Sequence, residues 1–163
     1  SKIDLSNQDS FNDIQGSNFD CVIHLAARAG VRQSFREPKK YILDNTVSTT
    51  NLSGFVKKEE IQKFLIASTS SIYGDSGESP MKEDIDEKYP PPSVYASSKL
   101  SGELMAKTIL DDTETCIQIP RFFTVMAPME DQTCQYLDLF IGFIQEQKFY
   151  FMGMEIKKDH LHI

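Results

Sequence analysis

The stretch DCVIHLAA, residues 20–27, is a short and unbroken apolar run that closes on a histidine, a leucine and two alanines. A run of this length and composition fits a strand buried on both faces, as strands of a parallel sheet are. Two further runs of the same kind follow, IQKFLIAS at 61–68 and TCIQIPRFF at 115–123. KIDL at 2–5 and FYFMG at 149–153 are shorter candidates at either end.

Helix-like segments stand between these runs. REPKKYILDNTVSTTNLSGFVKKEE places Tyr41, Ile42, Val47, Leu52 and Phe55 at roughly helical spacing, with Pro38 suited to a first turn. A second helix is predicted from about Ser93 to Ile109 with Ser93 as its N-cap, and a third over YLDLFIGFIQEQ at 136–147. A weakly helical stretch runs to about Gln15, and residues 69–92, with Gly74, Gly77, Pro80 and Pro90 to Pro92, read as a long surface loop. Strands alternating with helices predict an α/β fold with a doubly wound parallel sheet. Ligands of such sheets bind beyond the carboxyl ends of the strands. Here those ends are His24 to Ala27, Ala67 to Ser71 and Arg121 to Thr124.

Composition narrows the function. A net charge of −7 provides no basic field for a nucleic-acid backbone. No apolar run approaches the length of a membrane span, and no signal peptide is visible, so the cytoplasm is the expected location. Cys21, Cys116 and Cys134 are odd in number and widely spaced, which favours idle thiols over a disulfide framework or a zinc site. His160 and His162 have no metal-binding motif around them, and His24 is expected to be a hydrogen-bonded structural residue.

The chemistry concentrates in SVYASSKLSGELMAK, residues 93–107. Tyr95 and Lys99 are four apart, which puts both on one helix face. A free phenol has a pKa of about 10 and is a poor base at neutral pH. A lysine ammonium one turn away favours the phenolate, as do the unpaired N–H groups of a helix's first turn. Such a phenolate can take a proton from a sugar hydroxyl. A tyrosine packed against a lysine stem is also a common structural pair, so the spacing alone decides nothing. Context adds to it: FLIASTSSIYGD puts the hydroxyls of Ser68, Thr69, Ser70 and Ser71 where an apolar strand stops.

Taken in order, CVIHLAARAGVRQSFREPKKYILDN, FLIASTSSIYGD, VYASSKLSGELMAK and PRFFTV resemble the extended short-chain dehydrogenase/reductase family, in its NAD-dependent epimerase/dehydratase branch. HLAARAGVR and RFFTV are most similar to the UDP-glucuronate 4-epimerases. The resemblance implies a Rossmann-like doubly wound sheet that binds NAD, with Tyr95 as acid/base and Lys99 on the nicotinamide ribose. It implies that Thr69 hydrogen-bonds the reacting sugar hydroxyl, with Ser70 beside it on the substrate side. Asp4 and Leu5 would lie by the adenine, Leu25, Ala26 and Ala27 along the dinucleotide, and Asn45 on the cofactor side. Phe123 and Thr124 would flank nicotinamide and substrate. The implied reaction is transient oxidation at C4 of a nucleotide sugar, followed by return of the hydride to the other face. Related dehydratases carry an acid and a base beside the threonine, whereas Ser70 and Ser71 stand here, which favours an epimerase. Relatives commonly form homodimers through a helix bundle that includes the Tyr-Lys helix.

The chain also departs from the family pattern. It has no Gly-x-x-Gly-x-x-Gly turn, and the resemblance starts at the family's third strand. Asp131 stands where the glucuronate branch places a carboxylate-binding arginine, leaving Arg28, Arg32 and Arg36 as alternatives and the sugar open. The expectation is a single partial NAD-binding Rossmann domain over 1–163, truncated at both ends, with 124–163 leading into an incomplete substrate lobe. As a function this reads as the central portion of a nucleotide-sugar 4-epimerase. A catalytically silent relative acting through protein contacts, and a dehydratase or reductase, are the alternatives.

Overall fold

The computed structural model describes residues 3–74, 82–83, 90–123 and 150–151. Strand β1 (Cys21–His24) is buried along its whole length and lies at the heart of a parallel sheet. Its neighbours are β2 (Lys63–Ile66), on whose far side lies β4 (Cys116–Gln118), and, on the opposite edge, β6 (Tyr150–Phe151). Val22 is level with Phe64 on one side and Tyr150 on the other.

Beyond β2 and β4 the same two chain segments pair again as β3 (Ser68–Thr69) and β5 (Arg121–Phe122), forming a separate two-stranded sheet. The predicted strands at 61–68 and 115–123 are thus each broken once. At the break the Ala67 N–H donates to the His24 carbonyl (3.0 Å), and the next N–H, of Ser68, donates to the Pro120 carbonyl (2.8 Å). The strand therefore changes partner within one residue, and Pro120, which has no N–H, cannot extend the first ladder.

Helices α1 (Val31–Arg36), α2 (Pro38–Tyr41) and α3 (Ser48–Lys58) follow β1, and α4 (Val94–Leu110) precedes β4. Between α2 and α3 the helix widens into a π-helical turn, Ile42–Val47, a deviation common at functional positions. The predicted segment from Pro38 onward is therefore helical throughout but not uniformly α-helical. Helix α4 matches its predicted start: the Ser93 hydroxyl oxygen accepts the Ala96 N–H at 3.1 Å. Helices α3 and α4 approach closely at Gly102, where a Cβ would stand 3.2 Å from Thr49 Oγ1.

One face of the sheet is closed by an apolar cluster. Val22, Phe64 and Ile66 meet Leu52, Phe55 and Val56 of α3, Ala106 and Leu110 of α4, and Phe11 and Ile14 of a 3₁₀ helix, Gln8–Ile14. Phe11 stacks on Phe55 at 5.2 Å between centroids. The strand expected over KIDL is not formed in its described part. The Asp4 carboxylate accepts the N–H (2.9 Å) and hydroxyl (2.7 Å) of Ser6, which curls the chain into a turn. Asn51 of α3 takes the carbonyls of Leu5 and Ser6, acceptors that a sheet ladder would have used. The loop expected at 69–92 opens with a 3₁₀ turn, Ser70–Tyr73. The helix expected at 136–147, together with Thr124, Asp131, Cys134, His160 and His162, lies outside the described residues.

Candidate active site

Helix α4 packs against β3 and the 3₁₀ turn after it. The end of β1 reaches the same helix through the Lys99 charge felt by His24 and through Asn45, which joins Arg28 to Ser98. Tyr95 and Lys99 lie on α4 at the predicted spacing. Tyr95 is half-buried, and its ring meets the edge of Tyr41 at 6.3 Å, close to perpendicular. Tyr41 is itself fixed. Wholly buried, it donates its hydroxyl proton toward the carbonyls of Ala29 (2.7 Å) and Gly30 (2.9 Å). Gly30 takes φ of +108°, and a Cβ there would stand 3.2 Å from that hydroxyl. Tyrosine 41 thus ties the loop after β1 to the ring of Tyr95.

Lys99 is buried, with 6% of its surface exposed, and its ammonium has no hydrogen bond among the described residues. Burial pulls its pKa down from the usual lysine range to about 8, against an upward pull from the Glu103 carboxylate. Below that pH the site holds a charged donor that makes no hydrogen bond to another described residue.

His24 is the other buried base. The Thr49 hydroxyl spends its proton on the Asn45 carbonyl (2.7 Å), so His24 Nε2 must be the donor in the 2.9 Å contact with Thr49 Oγ1. An Nε2–H is present in either charge state, and it is burial that keeps the imidazole neutral at pH 7. Burial, and secondarily the Lys99 charge, lowers its pKa to about 3. Its Nδ1 is a buried acceptor with no partner among the described residues.

Asn45, in the π-helical turn, is buried and fully engaged. Its Oδ1 accepts the Arg28 N–H (2.7 Å), while its Nδ2 donates to the Arg28 carbonyl (3.1 Å) and to Ser98 Oγ (2.9 Å). It ties the loop after β1 to the residue preceding Lys99. Leu25, Ala26 and Ala27 begin that loop and are half-buried. Thr69 is buried in β3, where its Oγ1 accepts the Ser71 N–H (3.2 Å) and donates to Ser71 Oγ (3.1 Å). Ser70 is half-buried in the same turn, and Phe123 is exposed, stacked on Tyr73 at 6.4 Å. Asp4 and Leu5 are elsewhere: Asp4 is exposed, and the Leu5 side chain joins the apolar cluster under α3.

Two residues that the motif reading did not single out are central here. Glu103, on α4 one turn past Lys99, is almost wholly buried, and Arg121 of β5 holds it through two hydrogen bonds, Nη2 to Oε2 at 2.8 Å and Nε to Oε1 at 3.3 Å. The signal was in the spacing: positions 95, 99 and 103 share one helix face, and a glutamate there stays buried only if paired.

The whole chain, residues 1–163, matches the NAD dependent epimerase/dehydratase family. The chain belongs to that family. The UDP-glucuronate 4-epimerase of Thermodesulfobacterium geofontis is 36% identical over 148 residues, covering 90% of this chain and 45% of the relative. Among solved structures, RMD from Pseudomonas aeruginosa complexed with NADPH superposes with a TM-score of 0.69 at 28% identity, over 82% of this chain and 46% of that one. The UDP-N-acetylglucosamine 4-epimerase from Methanobrevibacter ruminantium, in complex with UDP-N-acetylmuramic acid, gives 0.62 at 33% identity, over 72% and 37%. The fold is therefore Rossmann-like, and the chain spans less than half the length of these family members. Among the described residues, no helix is long and apolar enough to cross a membrane.

For NAD, the family's cofactor, the nicotinamide-ribose end is the part these residues fit. An ammonium on a largely buried side chain, with no hydrogen bond among the described residues, is matched by a pair of ribose hydroxyls. The sequence contains no glycine-rich turn for the pyrophosphate.

Proposed function

We propose that this chain forms the acid/base half of an NAD-dependent nucleotide-sugar 4-epimerase site, with Thr69, Tyr95 and Lys99 as its catalytic residues. The observation that carries the reading is Lys99, a buried side chain whose ammonium has no hydrogen bond among the described residues, one turn from a tyrosine in the first turn of α4. Bound NAD would supply the hydride acceptor for C4 of the sugar and the donor on its return. Tyr95 takes the C4 hydroxyl proton and gives it back. Lys99 favours the phenolate by its charge and binds the nicotinamide ribose hydroxyls. Thr69 orients the same sugar hydroxyl, with Ser70 and Thr124 toward the substrate. Leu25, Ala26 and Ala27 run along the dinucleotide, Asn45 stands on the cofactor side, Phe123 lies by the nicotinamide, and Asp4 and Leu5 lie toward the adenine end.

The half-buried small residues after β1 support this placement, because they leave room for a ligand's backbone approach. Ser70 and Ser71 support epimerisation over dehydration, since neither hydroxyl can supply the acid and base that loss of water requires. In the intact protein, Tyr95→Phe is expected to lower turnover by about 10²- to 10⁴-fold while leaving NAD affinity unchanged. Full turnover in that variant would remove the mechanism. Net accumulation of NADH, or of a dehydrated sugar, would assign a dehydratase or reductase instead. Absence of any turnover or NAD binding in the intact protein would assign a silent relative acting through protein contacts.

A homodimer is part of the proposal. Phe35, Ile42, Leu104 and Met105 are exposed, and the α4 pair lies on the face turned away from Lys99. A second copy seated there would cover them, and light scattering of the intact protein at twice the monomer mass is the expected result. A cytoplasmic location is likewise proposed from the unpaired thiols of Cys21 and Cys116.

A further inference from the structure

The segments that carry Thr69 and Ser70, and the described segment that ends at Phe123, are tied to a single buried carboxylate. Glu103 accepts the hydroxyl of Ser68, the residue just before Thr69. It also binds Arg121 of β5, two residues before Phe123. Arg121 in turn donates Nη1 to the Tyr73 hydroxyl (3.0 Å) and to the Glu83 carbonyl (2.6 Å), with its guanidinium over the Tyr73 ring at 5.2 Å. Tyr73 ends the 3₁₀ turn that contains Ser70 and stacks on Phe123. One side chain of α4 therefore reaches β3, the turn beyond it, β5 and the segment at Glu83. The β3–β5 sheet it grips has only two residue pairs and little ladder of its own.

We propose that Glu103 is a positioning residue: it clamps the Ser68–Thr69 strand end and, through Arg121, the β5 end onto α4, and so fixes Thr69 relative to Tyr95 and Lys99. The kinetic side of this rests on the epimerase reading above; the structural side does not. The bland alternative is that Glu103 serves only to neutralise a buried arginine. The two differ in a double variant. Replacing a buried ion pair by apolar residues of similar volume is often neutral or stabilising, whereas removing one partner leaves an uncompensated charge. Glu103→Leu with Arg121→Met therefore removes the charge problem together with the clamp.

The experiment compares four forms of the intact protein: parent, Glu103→Gln, Glu103→Leu/Arg121→Met and Tyr95→Phe. Melting temperature, NAD affinity, kcat, KM and the Thr69 methyl NMR signal are read for each. The expected double variant melts at or above the parent temperature and binds NAD within about twofold, yet turns over about 10- to 100-fold more slowly, because small displacements of an oriented group cost that much. Its Thr69 methyl signal is expected to shift and broaden. Glu103→Gln keeps one oxygen for Ser68 and Arg121 Nε but sets an NH2 against Arg121 Nη2 and leaves its charge unmatched. It is therefore expected to lower the melting temperature more than the double variant does while disturbing the Thr69 signal less. Should the double variant keep parental kcat and an unchanged Thr69 signal, the clamp is refuted and Glu103 is merely a counter-charge. If the double variant fails to fold, Ser68→Ala, which cuts the Ser68 arm of the clamp and leaves the ion pair intact, is read in its place by the Thr69 signal, and an unchanged signal there refutes the clamp equally. Full turnover of Tyr95→Phe would sink the epimerase reading, in which case the methyl signal still decides the clamp.

Discussion

Along helix α4 the buried face changes character between Glu103 and Ala106. The C-terminal half sends Ala106 and Leu110 into an apolar cluster with Leu52, Val56, Phe64 and Ile66. The N-terminal half buries Ser98, Lys99 and Glu103 beside His24, Thr69 and Arg121. The first kind of burial stabilises the fold in proportion to the area removed from water. The second kind costs free energy unless each group finds a partner. Among the described residues Glu103 has found one, His24 has given up its charge, and Lys99 has done neither. One helix thus anchors the domain with one half and holds reactive groups under strain of desolvation with the other.

That contrast makes predictions of opposite sign for the two halves. The largest effect belongs to the apolar half. Phe64 is 1% exposed, and Phe64→Ala is expected to destabilise by about 3–5 kcal/mol in urea denaturation. A loss below about 1 kcal/mol would mean that the cluster under α3 and α4 is not the main support of the fold.

At the polar half, Lys99→Met is expected to stabilise while it abolishes the proposed turnover. With Lys99 at about 8 in the folded state and at the ordinary lysine value when unfolded, the unfolded chain binds more protons between those two values. Stability from this group is therefore full above about 10.5 and falls as pH drops through about 8. The deficit at pH 7 is roughly 3 kcal/mol. The difference between parent and variant should close as pH rises from 8 toward 10.5, which subtracts the other titrating groups. A variant that is less stable at pH 7, with no such convergence, would break the contrast.

His24 sharpens it from the acid side. Its folded pKa of about 3 lies below the free value of 6.5, so the unfolded chain takes up the proton first and stability declines as pH falls below 6.5. By pH 4.5 the loss from this residue is expected to reach about 2–3 kcal/mol. His24→Gln keeps an N–H for Thr49 and should flatten the acid limb of the stability curve. An unchanged limb would mean that His24 takes up no charge cost on folding.

The two halves were unequally legible from the sequence. Apolar runs and helix periods located β1, β2, β4 and α4, because burial of Val22, Ile23, Phe64 and Leu110 obeys the local repeat. The motif at 93–107 placed Tyr95 and Lys99 correctly on α4, because spacing along a helix fixes a face. What escaped depends on partners distant in the chain. Asp4 and Ser6 override the strand pattern of KIDL by a turn, and Asn51 takes its carbonyls from 45 or more residues away. The role of Glu103 needs Arg121, whose approach is set by the β3–β5 pairing and by no local pattern. The π-helical turn at Asn45 is likewise visible only once the loop after β1 folds back onto it.

The smallest predicted effect tests whether the junction between the halves is set by the helix start. Ser93 is buried, caps the Ala96 N–H and gives its carbonyl to the Ser97 N–H at 2.9 Å. Ser93→Ala removes the first of these and is expected to cost about 1 kcal/mol of global stability, the usual worth of an N-cap. The loss should not spread evenly. Ala106 and Leu110 hold the far end of α4 in the apolar cluster, so the helix frays only where Tyr95 lies. Amide exchange is therefore expected to quicken at Ala96 and Ser97 by clearly more than at Ala106. Turnover under the proposed mechanism should fall by a larger factor than the stability change alone would give. Equal acceleration along the whole helix would show that α4 opens as one unit, and that its two halves differ in chemistry but not in mechanical independence.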